Sequence, residues 1–202
     1  MASSTTTRKP AIGDRDRMDG DHAQALENRA TVDAPTGADR NADIVLGAAV
    51  IAMGLLAGLF YAFDVAVMPG LTAADDRTLV DAMQQLIDLP AFPLTLLAAP
   101  ALAAVALFQA RRSGSAKTAG WIVNGLAFYT VTVVVTIVVH FPLNADLVNA
   151  GDPARIGNLA AVRDDFVTPW VAWNIVRTLA LTAAFGSLTW ALVLRGRRGR
   201  AA

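Results

Sequence analysis

The chain has 202 residues, of which 54% are hydrophobic and 17% are charged, and its Lys and Arg residues equal its Asp and Glu residues in number. Soluble domains usually carry about 25% charged residues. The low charge content and a mean hydropathy of +0.44 therefore argue against a soluble protein. Because the sequence has no cysteine, disulfides, thiolate metal sites and a cysteine nucleophile are excluded.

A polar tail, residues 1–43, precedes the first apolar stretch. It is rich in Thr, Ser, Asp, Arg and Gly and shows no sustained apolar periodicity. Such a composition predicts a disordered tail. The early Arg8–Lys9 pair is not followed by the apolar core of a signal peptide.

Four apolar stretches predict four transmembrane helices, over about residues 44–63, 91–110, 119–141 and 171–194. A spanning helix needs about 20 mostly apolar residues, and backbone groups in lipid must bond within the segment. Residues 44–194 therefore predict an all-α, integral membrane four-helix bundle. Gly54 and Gly58 in the first span permit close helix contact, either within the bundle or in a homodimer.

The two loops on the side away from the tail each predict a short amphipathic helix. In the first loop, Thr72–Asp75 has the pattern of a capping box. In the second, Asp152 followed by Pro153 predicts a helix start, with a short helix through about Phe166. Pro169 then predicts a restart into the last span.

The basic residues are divided unevenly between the two sides of the predicted bundle. Thirteen Lys and Arg residues lie in the tail, the loop after the second span and the C-terminal segment, against three in the other two loops. The positive-inside rule predicts a multi-pass protein of the cell membrane with both termini cytoplasmic. The basic segment 195–202 directly follows a span, which favours anchoring to lipid headgroups over nucleic-acid binding. The predicted partner is thus the lipid bilayer and not nucleic acid.

A polar stripe crosses the third span. Tyr129, Thr132, Thr136 and His140 are spaced by three, four and four residues, which places them on one helical face. A polar stripe in an apolar span must face the bundle interior or a wet cavity. His140 is either a general base or metal ligand, or a buried histidine bonded to a backbone carbonyl or a carboxylate.

Arg177 is the charged residue well inside the fourth span. It shares a helical face with Trp170 and Asn174. A buried Arg costs at least ~2.5 kcal/mol unless it is paired or reaches the interface, so we expect a carboxylate partner. Asp64 is the first candidate and Asp88 the second. The alternatives are a structural ion pair or a cation that binds an anionic oxygen.

The sequence contains no Gly-rich phosphate loop, HExxH, GxSxG or dinucleotide fingerprint. His140 is the one histidine outside the tail, which makes a zinc or di-iron site improbable. No metal site and no cofactor are predicted. A metal or haem held by a single histidine stays open as the alternative.

Five segments together resemble the four-helix DUF1772 group, also called the anthrone oxygenase family. They are Gly54–Phe63, Val67–Leu71, Asp81–Gln84, Pro142–Asn144 and Trp170–Thr178. The resemblance covers residues 44–194 and implies the four-helix membrane fold. Fungal members are implicated in oxidising anthrones to anthraquinones during polyketide biosynthesis.

The resemblance implies a monooxygenase that acts on a lipophilic aromatic or polyketide substrate at a polar site near the outer leaflet. In that hypothesis His140 is the base, and the oxyanion is held by Arg177, Asn174 and Asn144. The residues expected to line or complete the substrate slot are Trp173, Tyr61 and Asp64. The alternative is a non-catalytic membrane protein whose polar cluster is structural or binds a partner or small lipophile.

Overall fold

The computed structural model describes residues 37–89 and 91–198, with the backbone alone for residues 91–95 and 198. All regular structure in these residues is helical. The five helices are α1 (Gly37–Thr72), α2 (Asp76–Ile87), α3 (Ala91–Arg112), α4 (Ala116–Asn149) and α5 (Leu159–Arg198). Residues 1–36 of the predicted tail and 199–202 of the predicted basic segment lie outside the described residues.

Three of these helices, α1, α4 and α5, are long and apolar enough to cross a membrane. They contain the first, third and fourth predicted spans, so the expectation of an all-α, membrane-type protein is confirmed. The second predicted span forms α3, a helix of 22 residues. At 1.5 Å per residue its length is about 33 Å.

The four long helices pack around one apolar core. Helix α5 contacts α4 and α1, and α3 contacts α1 and α4. The close approach depends on small residues, because a Cβ on Gly125 of α4 would lie 3.2 Å from the backbone oxygen of Ala184 in α5. A Cβ on Gly54 of α1 would meet the Phe185 ring at 2.9 Å, so Gly54 serves packing within the chain. Gly58 is exposed and has nothing within 4 Å of its Cβ position.

Helices α1 and α4 each contain a π-helical turn at the end where α2 lies. The turns are Phe63–Val67 and Thr136–His140. Pro69 lies two residues after the first turn, and Pro142 lies two residues after the second. Proline clashes with the carbonyl four residues before it in a regular helix, and a wider turn is one way to accommodate it. Both helices therefore continue beyond the predicted ends of their spans.

The first predicted loop helix is confirmed as α2, which buries Leu79 and Met83. Its N-cap is Asp75, whose Oδ1 accepts a hydrogen bond from the Thr78 N–H at 3.0 Å. The predicted capping role of Thr72 is wrong. The Thr72 hydroxyl donates to a carbonyl in the last turn of α1 at 2.9 Å, so it ends one helix and does not begin the next.

The second predicted loop helix does not start at Asp152. The Asp152 carboxylate accepts from the Ala154 N–H at 2.9 Å and forms a turn. Helix α5 begins later, at Leu159, where Asn158 accepts from the Ala161 N–H at 3.1 Å. Pro169 lies inside α5 and does not break it, and Phe166 and Trp170 on either side of the proline are buried.

The start of α1 and the end of α5 are joined by charged side chains. Helix α1 already begins at Gly37, ahead of the predicted apolar stretch. Arg195, predicted as part of a lipid anchor, lies in α5 and pairs with the Asp43 carboxylate. Its guanidinium also donates to the Asp39 carbonyl at 3.1 Å. This ion pair links the first turns of α1 to the last turns of α5, at the side of the bundle opposite α2.

Candidate functional site

A cavity of about 480 Å³ lies between α1, α2, α4 and α5, with one residue from α3. Its size falls within the range of small-molecule sites. Most of its walls are apolar. It is lined by Phe60, Phe63, Met83, Leu86, Ile87, Leu96, Thr136, His140, Phe141, Asn144, Ala145, Val148, Asn149, Trp170 and Arg177.

The polar stripe of α4 faces the interior, as predicted. Tyr129, Thr132, Thr136 and His140 are all buried. The Tyr129 hydroxyl donates to a backbone carbonyl of α3. Thr136 and His140 reach the cavity, and both belong to the π-helical turn, a feature that is frequent at functional sites.

Arg177 enters the cavity from α5 and is 5% exposed. Its guanidinium donates to Asn174 Oδ1 at 2.7 Å and to Thr136 Oγ1 at 3.4 Å. The guanidinium carbon lies 4.6 Å from the ring centre of Phe60 and 5.6 Å from that of Trp170. Aromatic faces attract a cation, and they do so more strongly where water is excluded.

The expected direct ion pair between Arg177 and Asp64 is not formed. The Asp64 carboxylate accepts from Asn174 Nδ2 at 2.5 Å and from Thr178 Oγ1 at 2.6 Å. Over residues 37–89 and 91–198, no ion pair joins Arg177 to a carboxylate. The Asn174 amide occupies the position between the two charges, so it connects them by two hydrogen bonds.

Three buried polar atoms at the cavity have no hydrogen-bond partner among the described residues. They are His140 Nε2, Asn144 Oδ1 and Arg177 Nε. Leaving such an atom unpaired costs about 1–3 kcal/mol, so each calls for an explanation. One is a donor, one an acceptor, and the histidine nitrogen is either, depending on its tautomer.

The His140 ring contacts both an aromatic ring of α5 and the backbone of its own helix. It lies edge-on to Trp170, with ring centres 5.4 Å apart, and its Nδ1 is 3.5 Å from the Val135 carbonyl oxygen. The side chain is 1% exposed. Its Nε2 is the buried ring nitrogen without a hydrogen-bond partner among the described residues.

Two predicted site residues lie elsewhere. Tyr61 and Trp173 are 57% and 42% exposed and do not line the cavity, where Phe60 and Trp170 supply the aromatic walls. One residue along a helix rotates the side chain by about 100°, which turns Tyr61 away from the face of Phe60. Asn174 and Asp64 support the site from behind Arg177, and Asn144 reaches the cavity itself.

Helix α2, predicted as an amphipathic loop helix, closes one end of the cavity. It supplies Met83, Leu86 and Ile87. Gln84 of the same helix donates to the carbonyl oxygens of Leu147 and Gly151 at 2.9 and 3.0 Å. Arg163 of α5 pairs with Asp76 at 2.6 Å. Helix α2 is thus fixed over the site by two hydrogen bonds, to α4 and to the loop after α4, and by one ion pair to α5.

The described part of the chain contains no group of three or more His, Cys, Asp or Glu side chains that could hold a metal ion.

The family model described as anthrone oxygenase matches residues 83–187, more than half of the chain. The match runs from Met83 of α2 to Ser187 of α5 and so includes the polar residues His140, Asn144 and Arg177. No curated protein and no solved structure matches the chain. The chain belongs to the anthrone oxygenase family.

Proposed function

We propose that the protein is a four-helix integral membrane oxygenase of the cell membrane, with α3 as its fourth span and both termini cytoplasmic. The contacts of α3 with α1 and α4 and its length support a fourth span. The concentration of basic residues at the end opposite α2 supports the orientation. The cavity would then lie near the outer leaflet, where a lipophilic substrate can partition.

The observation that carries the proposal is the set of three unpartnered polar atoms in a mostly apolar cavity. An anthrone is a flat apolar ketone. Its rings would contact the Phe60 and Trp170 walls, and its oxygen would accept from Arg177. Hydroxyl groups on the ring system would donate to Asn144 Oδ1.

The proposed chemistry begins with proton transfer. His140 removes a proton from the methylene carbon opposite the carbonyl, and the carbonyl oxygen takes the resulting negative charge beside Arg177. The electron-rich carbon is oxidised by dioxygen, forming a C–O bond to a hydroperoxide that takes up a proton. Loss of the second methylene proton and cleavage of the O–O bond release water. One anthrone and one dioxygen yield one anthraquinone and one water.

Asn174 acts in this scheme as a positioning residue. It holds the guanidinium of Arg177 and passes the influence of the Asp64 charge to it by hydrogen bonds. A cation fixed in a water-poor site stabilises developing negative charge without reorganisation at the moment of reaction. The scheme requires no cofactor.

Oxygen uptake tests the proposal. Detergent-purified protein is mixed with an anthrone, and oxygen consumption is measured beside anthraquinone absorbance. We expect equal amounts of oxygen and product, and a loss of about 100-fold or more in turnover for His140→Gln and Arg177→Gln. Asn124→Ala is the matched control, because Asn124 lies away from the cavity. Its side chain donates a hydrogen bond to the Ser187 hydroxyl at 3.0 Å. A folded Arg177→Gln variant with full turnover contradicts the scheme.

The cofactor-free form of the proposal has its own test. Elemental analysis and a UV–visible spectrum are recorded for the wild type and for His140→Ala. We expect a colourless, metal-free protein with activity. A stoichiometric metal or haem that is lost in His140→Ala would replace the cofactor-free scheme by one centred on a single-histidine ligand.

A non-catalytic role is the second candidate, and one observation favours it. Hydrogen bonds through Asp64, Asn174, Arg177 and Thr136 join α1, α5 and α4, as a purely structural network would. In that case Arg177→Gln lowers the unfolding temperature, and the wild type consumes no oxygen with any anthrone. Measuring both quantities on the same samples separates the two functions.

A further inference from the structure

A second concave surface lies between α4 and α5 at the end of the bundle opposite the cavity. Its volume is about 550 Å³, and its walls include Lys117, Trp121 and Asn124 of α4 and Trp190 of α5. His140 is 23 positions after Lys117 in α4, which corresponds to about 35 Å along the helix. We call this surface the basic-end groove.

The walls of the basic-end groove are aromatic and partly exposed. Trp121 and Trp190 meet edge to face with ring centres 6.3 Å apart, and their exposed fractions are 40% and 42%. Gly120 has nothing within 4 Å of its Cβ position, which leaves the groove open beside the rings. Tryptophan collects where a membrane protein meets the headgroup region.

The rim of the groove is cationic. Lys117 lies in the wall, and the Arg197 guanidinium sits 5.6 Å from the Trp190 ring centre. The groove also begins at the first turn of α4, where backbone N–H groups and the helix dipole favour an anion. Residues 111–124 and 190–198 contain six basic and no acidic residues. Of these, Arg195 is already paired with Asp43.

We propose that the basic-end groove binds the phosphate of an anionic phospholipid, with the acyl chains against Trp121 and Trp190. The groove combines a cationic rim with apolar walls between two membrane-type helices. A free phosphate ion satisfies the rim and makes no use of the walls, whereas a phospholipid uses both. Basic pockets between membrane helices favour anionic headgroups in this way.

Native mass spectrometry of the full chain tests the proposal. Protein in mixed micelles with equal phosphatidylglycerol and phosphatidylcholine is measured for retained lipid. We expect phosphatidylglycerol to be retained in preference, and the preference to fall about fivefold or more in Lys117→Gln/Arg197→Gln. The matched control is Arg111→Gln/Arg112→Gln, which removes the same charge at the same end outside the groove and should keep the preference.

Three results would overturn the assignment. The first is an equal preference in wild type and Lys117→Gln/Arg197→Gln. The second is an equal loss in the Arg111→Gln/Arg112→Gln control, which would mean a general charge effect. The third is displacement of the lipid by millimolar inorganic phosphate, which would mean that a free anion is the ligand. Elution of all variants as wild-type-like particles in size-exclusion chromatography shows that they are folded.

Discussion

The buried guanidinium of Arg177 is stabilised by several weak contacts and not by one ion pair. Asn174 Oδ1 accepts one hydrogen bond from the guanidinium and Thr136 Oγ1 accepts a longer one. The rings of Phe60 and Trp170 lie over the guanidinium. The compensating carboxylate of Asp64 is one amide away. This arrangement keeps the cation in a water-poor site and leaves its Nε unpartnered toward a ligand.

Asn174 is the residue on which this arrangement depends most. Asn174→Ala leaves one guanidinium nitrogen and one carboxylate oxygen without partners, so we expect a loss of about 1–3 kcal/mol in the free energy of unfolding. Thermal unfolding in detergent measures it. The same change at Asn124, which makes one partly buried bond to Ser187, should cost less. Equal losses for the two variants would contradict a special role for Asn174.

The sequence predicted most of these residues and missed how they are joined. The burial of Arg177 and its neighbour Asn174 followed from one helical face, and Asp64 of α1 was named as the carboxylate expected beside Arg177. The bridging amide depends on side-chain rotamers across two helices, which spacing does not encode. Trp170 shares the face of Asn174 and Arg177 at four and seven residues. That shared face was the signal that Trp170, and not Trp173, lines the cavity.

At the scale of the helices, the contact between α4 and α5 depends on the glycine that touches a backbone. In Gly125→Ala the new Cβ would lie 3.2 Å from the Ala184 carbonyl oxygen and 3.3 Å from Leu188. Overpacking typically costs about 1–3 kcal/mol. Gly120→Ala on the same helix meets nothing within 4 Å and gains helix propensity of about 1 kcal/mol. We therefore expect Gly125→Ala to unfold at a clearly lower temperature than Gly120→Ala; the reverse order would refute the packing argument.

The start of α2 depends on the ionised carboxylate of Asp75. Hydrogen bonds from the Thr78 backbone and side chain lower the pKa of Asp75 below its ordinary value of 3.8. Because the folded-state pKa is lowered, the stabilisation by this cap is fully present above the ordinary value of 3.8. It is lost as the pH falls through the folded-state pKa. We expect an NMR titration to give an Asp75 pKa below 3.8. Thr78→Val keeps the backbone hydrogen bond, so the pKa of Asp75 should rise only part of the way back to 3.8. An unchanged pKa would contradict the side-chain contribution.

The elements themselves were predicted unevenly. Long apolar stretches and the α2 pattern identified helices reliably, because burial needs periodic apolar residues. Pro169, which was expected to restart the chain into the last span, lies inside α5, and α4 continues past Pro142 beyond the predicted end of its span. A proline breaks a helix unless packing and a locally widened or bent turn compensate, and those compensations come from neighbouring helices.

At the scale of the whole molecule, the two ends of the bundle differ in chemistry. The end with α2 carries the cavity and the two π-helical turns. The other end carries the ion pair of Arg195 and the basic-end groove. We expect the latter end to be cytoplasmic.

The absence of cysteine in the sequence makes this orientation easy to test. Single cysteines at Ser113, between α3 and α4, and at Ala154, between α4 and α5, can be labelled with a membrane-impermeant maleimide on intact cells. We expect labelling of Ala154→Cys without permeabilisation and of Ser113→Cys only after it. The opposite pattern would place the cavity at the inner leaflet and reverse the proposed topology.

The central claim is that the cavity beside Arg177 is the ligand site, and tryptophan quenching by an anthraquinone tests it most directly. Trp170 lines the cavity, and Trp173 lies one turn further along α5 outside it. We expect saturable quenching in the wild type and in Trp173→Phe, and loss of most of it in Trp170→Phe. Quenching that survives in Trp170→Phe and disappears in Trp173→Phe would place the ligand outside the cavity and contradict the account.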